Sequence, residues 1–172
     1  MDPVQNRLQK TEKHAEYARE LFYEGYNCAQ SVFCAFCDKT GLGKKQAARL
    51  ASSFGGGIGR MREVCGAVSG AVMVLGMVCG YDDPEDKDAK KTHYERVRTF
   101  ARRFREAEGS IICRELLLKG GSDRKSAESG GDPEERTEAY YKKRPCPELV
   151  FRAAAVLEEM LEEEERNRKE DI

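Results

Sequence analysis

An excess of charge of either sign is the first thing missing from this 172-residue sequence, in which 30 basic residues stand against 31 acidic ones for a formal net charge of −1. Such a chain has no global field to draw it to nucleic acid or to an anionic membrane. Its start, Met1-Asp2-Pro3 followed by polar residues, has no apolar stretch of the signal-peptide kind, so the expected location is the cytoplasm. Histidine is scarce as well. His14 and His93 are the only two, both on amphipathic helical patterns where a partly buried, hydrogen-bonded imidazole is the ordinary occupant. There is no Cys-x-x-Cys-His for haem attachment, and no serine, histidine and carboxylate set can be assembled. No stretch reads as a strand. The length suits one domain with a real core, and helices are left to build it.

The helical periodicity predicts an all-α bundle of about six or seven helices. The first covers Asn6 to Tyr23 and ends at Gly25; Asn27 caps a second, Cys28 to Cys37; a third runs from Lys44 to Phe54. After the turn at Asp82-Asp83-Pro84, a helix carries His93, Val97, Phe100 and Phe104 on one stripe, with basic residues on its other faces. Interspersed acids dilute them into a solvated surface. Ser110 is expected to cap a short helix over 111–118, Lys119 to Asp132 to loop, and further helices to run from Pro133 to Lys143 and from Pro145 onward. Residues 1–161 form the expected domain, and the charged residues 162–172 a fraying tail.

The chain is organised around Ser52 to Gly80. Val64 to Tyr81 carries no formal charge, which predicts a central helix over about 65–80 buried on every side. Its four glycines, charged flanks and lack of an aromatic belt argue for a core helix and against a membrane span. The preceding Gly55-Gly56-Gly57-Ile58-Gly59-Arg60 matches neither the P-loop nor the dinucleotide fingerprint. Its expected role is a tight connection that brings backbone close to whatever Cys65 touches.

Cysteine is where the chemistry concentrates. There are seven, an odd count that argues against a simple disulfide framework and leaves free thiols, metal ligands or redox pairs. Four of them, Cys28, Cys65, Cys113 and Cys146, sit in the first turn of a predicted helix, where unpaired N–H groups and the helix dipole favour a thiolate. Each also falls on an apolar stripe, so the four point inward. Gathered at one end of the bundle they would suit an iron–sulfur cluster or a zinc ion, while subsets would make redox disulfides. The intervals of 36, 47 and 32 residues leave separate buried cysteines as an alternative. Cys34 and Cys37 form Cys-x-x-Cys but face about 180–240° away from Cys28, and Cys79 lies about 21 Å along the helix from Cys65. Cys79 reads as a packing residue, and Cys34 and Cys37 read as packing residues with an accessory redox pair as the alternative.

Tyr26-Asn27-Cys28-Ala29-Gln30-Ser31-Val32, the run from Gly55 to Met61 leading into Cys65-Gly66-Ala67-Val68-Ser69-Gly70-Ala71, and then Cys113 and Cys146 resemble the C_GCAxxG_C_C family, over about Ala15 to Leu161. That family is regarded as redox-active, occurs largely in anaerobes and is often encoded near transporters; a related domain occurs in the split-Soret cytochromes, which carry an iron–sulfur centre. The resemblance implies that Cys28, Cys65, Cys113 and Cys146 form one electron-transfer site holding an iron–sulfur cluster, with zinc or no metal as alternatives. On that reading Gly56, Gly57, Arg60 and Gly66 lie against the cofactor, and Arg60 or Arg62 balances its charge. The implied partners are an unnamed redox protein or a transporter-associated protein, with a homodimer as the guess for oligomeric state. A metal-free thiol–disulfide oxidoreductase and a helical partner-binding module are the other readings. The extra Cys34, Cys37 and Cys79 depart from the family pattern.

Overall fold

The computed structural model describes residues 13–170, and every regular element among them is helical. In chain order these are α1 (Lys13–Tyr23), α2 (Cys28–Ala35), α3 (Cys37–Thr40), α4 (Lys44–Ala51), α5 (Gly66–Cys79), α6 (Lys87–Glu108), α7 (Cys113–Lys119), α8 (Arg124–Ala127), α9 (Glu138–Lys143) and α10 (Cys146–Glu170). The class is all-α, as the periodicity predicts. The number exceeds six or seven because α3 and α8 have only four residues and α9 six. The expected helix start at Asn6 lies outside the described residues. No helix among them is long and apolar enough to cross a membrane.

Local chemistry explains most boundaries. Gly25, at φ 106°, closes α1. Asn27 and Gln30 then make a reciprocal capping box, each side chain accepting the other's backbone N–H at 2.9 and 3.0 Å. Helix α2 was expected to reach Cys37, yet it stops at Ala35 because Phe36 leaves helical geometry (φ −104°, ψ 23°). The fully buried Phe36 ring stacks on His14 at 4.5 Å, and α3 restarts beyond it. Helix α4 tightens into a 3₁₀ turn at Ser52–Phe54, where the Ser52 hydroxyl donates to the Arg49 carbonyl at 2.7 Å. Ser110 accepts the Ile112 N–H at 3.0 Å, two residues ahead of it, so α7 begins later than expected, at Cys113.

Helix α5 also departs from expectation. Gly66, Ala67, Val68, Gly70, Ala71, Val74 and Leu75 are buried against the core, but Gly76 and Met77 are exposed and Ser69, Val72 and Met73 half-buried. Lack of charge permits burial on every side without enforcing it. The hub is α2, which packs on α1, α4, α5 and α10. Helix α10 lies mainly along α1 and stays helical to Glu170, well past Leu161 where fraying was expected. Its acidic residues are held from outside the helix. Glu163 pairs with Arg103 and Glu164 with Arg96, both through two hydrogen bonds, and Glu165 takes Lys39 at 3.0 Å.

His14 sits under this assembly, with Nδ1 against the buried Glu158 carboxylate and Nε2 at 2.9 Å from Asp38. Burial opposes its charge, but the bonds to Glu158 and Asp38 outweigh that and hold its pKa above the ordinary 6.5. A raised pKa contributes stability in full below pH 6.5 and loses it as pH climbs through the folded-state value. His14→Gln is therefore expected to cost about 1–2 kcal/mol in mildly acid solution and distinctly less in alkali. Urea unfolding of both proteins across pH checks this; a pH-independent difference would refute the charged His14.

Candidate metal and redox centre

Four thiols far apart in sequence line one small cavity. Cys28, Cys65, Cys113 and Cys146 wall it together with Gly66, Leu116, Leu117 and Leu149, around a free volume of about 10 Å³, about the room of a single water. Cys28, Cys113 and Cys146 are the first residues of α2, α7 and α10, and Cys65 caps α5. Cys65, Cys113 and Cys146 are buried; Cys28 is the one of the four that is not fully so.

Two devices bring the segments together. One is a backbone clasp. Val64 and Ile112 form an antiparallel bridge, the Cys65 N–H donating to the Ile111 carbonyl at 2.8 Å and the Cys113 N–H to the Glu63 carbonyl at 2.6 Å. The other is the glycine segment, a left-handed turn: Gly56, Gly57, Ile58, Gly59 and Arg60 all have φ between 54° and 68°, and Arg62 follows at 61°. Three of these residues are not glycine, and each costs about 1–2 kcal/mol in that region. Hydrogen bonds such as Arg62 N–H to Gly56 and Glu63 N–H to Gly57, at 3.2 and 3.0 Å, hold the turn closed. Gly57 is required on two counts. Its φ is positive, and a side chain there would meet the Cys113 Cβ and the Glu63 nitrogen at 2.7 Å.

Of the predicted site glycines, Gly66 lines the cavity and Gly57 lies behind Cys113. The Gly56 N–H helps to lower the Cys28 thiol's pKa, and a Cβ on Gly66 would come within 3.1 Å of the Cys28 Cβ and 2.9 Å of the Phe54 carbonyl. Arg60 does not join them. Its guanidinium turns outward to the Gly130 carbonyl at 3.1 Å, and the Gly130 N–H returns a bond to the Arg60 carbonyl. Arg62 is the residue at the thiols, buried, with Nη1 3.9 Å from the Cys113 sulfur and Nη2 without a partner.

The four thiols are unequal. Hydrogen bonding from Cys146, then the charge of Arg136 and the N–H groups of Cys28 and Gly56, overcome burial and bring Cys28 down to about 7. Cys146 is pushed well up as that bond's donor and by burial. Burial and the neighbouring Cys28 charge also raise Cys65 and Cys113, Arg62 pulling Cys113 the other way. Cys28 is thus the first of the four to ionise, passing to thiolate through neutral pH while the other three stay thiols.

Arg136, Tyr140 and Arg144 were not foreseen. Arg136 lies over the Phe22 and Tyr140 rings at 4.5 and 4.9 Å, and Arg144 is buried against Glu134 and Tyr140. Burial, followed by the Cys146 charge, pushes Tyr140 up to about 12. Their only signal in the sequence is nearness to Pro145-Cys146; what brings them in is the packing of the 133–144 segment against α1.

An all-sulfur donor set fits zinc or an iron–sulfur cluster and nothing harder. Among the described residues no three His, Cys, Asp or Glu side chains already stand as a chelating group, so a bound metal has to reorient these thiols. The donors fit by chemistry and by shared cavity, and a cluster, larger than the single-water space now between them, would require the four walls to part. Residues 26–160 match the family model described as "Putative redox-active protein (C_GCAxxG_C_C)". No curated protein and no solved structure matches the chain.

Proposed function

Because the chain belongs to this family of proteins described as redox-active, we propose that Cys28, Cys65, Cys113 and Cys146 hold an iron–sulfur cluster through which the protein transfers electrons. The observation that carries the reading is the cavity itself, walled by four sulfurs, one glycine and three leucines, with no oxygen or nitrogen side chain among them. Sulfur donors leave zinc and iron–sulfur as candidates, and zinc has no redox chemistry. A bound cluster supplies one-electron transfer between itself and a donor or acceptor. The protein's own residues do the rest. Leu116, Leu117 and Leu149 keep water out. Arg62, Arg136 and Arg144, with the Gly56 N–H, offset the negative charge of the ligating sulfurs.

The test is iron and acid-labile sulfide analysis with an absorption spectrum on protein purified without oxygen. Iron with sulfide is expected, in a brown protein that bleaches on reduction and loses both elements when any one of the four cysteines becomes serine. Zinc alone would make the site structural, and an iron-free protein after anaerobic reconstitution would refute the reading.

A metal-free thiol–disulfide function is the second reading, favoured by one observation: Cys28 carries the lowered pKa and Cys146 is its hydrogen-bond partner. It requires a reversible Cys28–Cys146 disulfide, visible by mass spectrometry and titrating in a two-electron step.

A further inference from the structure

Cys34 and Cys37 have no part in the site above, yet they lie together in a pocket of their own. The pocket, about 280 Å³, is lined by both cysteines with His14, Tyr17, Asp38 and Lys44, and shares no residue with the four-thiol cavity. Cys34 is the next-to-last residue of α2 and Cys37 opens α3, on either side of the break at Phe36. The two thiols are near enough to shift each other's titration, and the Cys34 thiol lies 3.8 Å from the Lys44 carbonyl oxygen. Cys34 is 2% exposed, whereas Cys37 is half-buried and reached from the pocket. Among the described residues no third His, Cys, Asp or Glu completes a metal-binding group with them.

We propose that Cys34 and Cys37 form a second, independent redox site, a dithiol that reduces small organic disulfides entering this pocket. The accessible Cys37 thiolate attacks one sulfur of the substrate RSSR, forming a Cys37–SR mixed disulfide and releasing RS⁻. The Cys34 thiolate then attacks the Cys37 sulfur, forming the Cys34–Cys37 disulfide and releasing the second RS⁻. The two thiol protons end on the two leaving thiolates, so one RSSR and two cysteine thiols become two RSH and one disulfide. Access sets the order of attack, since Cys37 is the more exposed of the two. Burial raises both thiols, Cys34 to about 11. The rate of attack therefore climbs close to tenfold per pH unit from neutral solution upward.

The experiment treats the full-length reduced protein with bis(2-hydroxyethyl) disulfide in mild alkali, followed by intact-mass and fragment-ion mass spectrometry. The fragment carrying both residues is expected to have lost the mass of two hydrogen atoms, to carry no adduct and to hold the link between Cys34 and Cys37, whatever Cys28 has taken up. Cys34→Ala, which keeps a small apolar group in the core, is expected instead to retain one half of the probe on Cys37. Cys37→Ser is expected to leave Cys34 unmodified, and it serves if Cys34→Ala does not fold. Three results would overturn the proposal: a stable probe adduct on Cys34 or Cys37 of the unaltered protein, a link formed between other cysteines while Cys34 and Cys37 stay free, or Cys34 modified at full rate in Cys37→Ser.

Discussion

Alanine at Gly70 is expected to destabilise the protein by about 3 kcal/mol, whereas alanine at Gly76, six residues along the same helix, is expected to stabilise it by about 0.5–1 kcal/mol. The contrast is one of neighbours. A Cβ on Gly70 would lie 2.6 Å from the Ala29 carbonyl oxygen and 3.2 Å from both the Ala29 Cα and the Val32 Cβ, so α2 would have to move off α5. Two of these atoms are backbone and cannot rotate away. Around Gly76 a Cβ meets nothing within 4 Å, and the only effect left is reduced freedom of the unfolded chain. Thermal melts of the reduced proteins read this directly, with a fall of roughly 6–12 °C for Gly70→Ala and a small rise for Gly76→Ala. Equal effects at the two sites would mean that α2 and α5 do not pack through Gly70.

Cys28 of the reduced, metal-free protein is expected to carry about 50-fold more thiolate at neutral pH than an ordinary thiol, and to be alkylated about 5–8-fold faster at equal access because a less basic thiolate is the weaker nucleophile. The sign follows from the shift: a pKa lowered from 9.0 to about 7 makes half of Cys28 thiolate at pH 7, and that fraction falls away in acid. Cys65, Cys113 and Cys146, raised by burial and by the Cys28 charge or bond, should stay unmodified through the same range. Pulsed iodoacetamide labelling across pH, read by mass spectrometry, gives the midpoint. Cys146→Ala removes the largest favourable contribution and should move it upward, and Arg136→Gln should move it upward less. A Cys28 midpoint at the ordinary thiol value, or Cys65 reacting first, would contradict the described hydrogen bond.

These expectations rest on features that were unequally legible in the sequence. Asn27 with Gln30, and the glycines at 25, 41 and 109, mark helix ends through local chemistry, and their positions are readable without tertiary context. The cysteines at helix starts stand out for the same reason, and the structure lines one cavity with them. The break at Phe36 was hidden because it depends on a ring stacking against His14 from another helix. Glycines at 55–59 announce a tight passage, but nothing local says that Ile58, Arg60 and Arg62 would join them at positive φ. Arg62 was one of two basic candidates for the site; the left-handed turn decides between them, sending Arg60 out to Gly130 and Arg62 in to Cys113. The length of α10 was missed because its acidic end is held by Lys39, Arg96 and Arg103, partners far away along the chain.

The clasp between Val64 and Ile112 has a bearing on the order in which the molecule comes together. It closes a long loop containing α5 and α6, and such closures are entropically late events. It also aligns only Cys65 and Cys113. Cys28 is placed by α2, and Cys146 arrives only when α10 docks along α1. A nascent chain thus presents its thiols in pairs or singly and never as four until the last helix has settled. Incorporation of any group that needs all four sulfurs is thereby reserved for chains that have already finished folding.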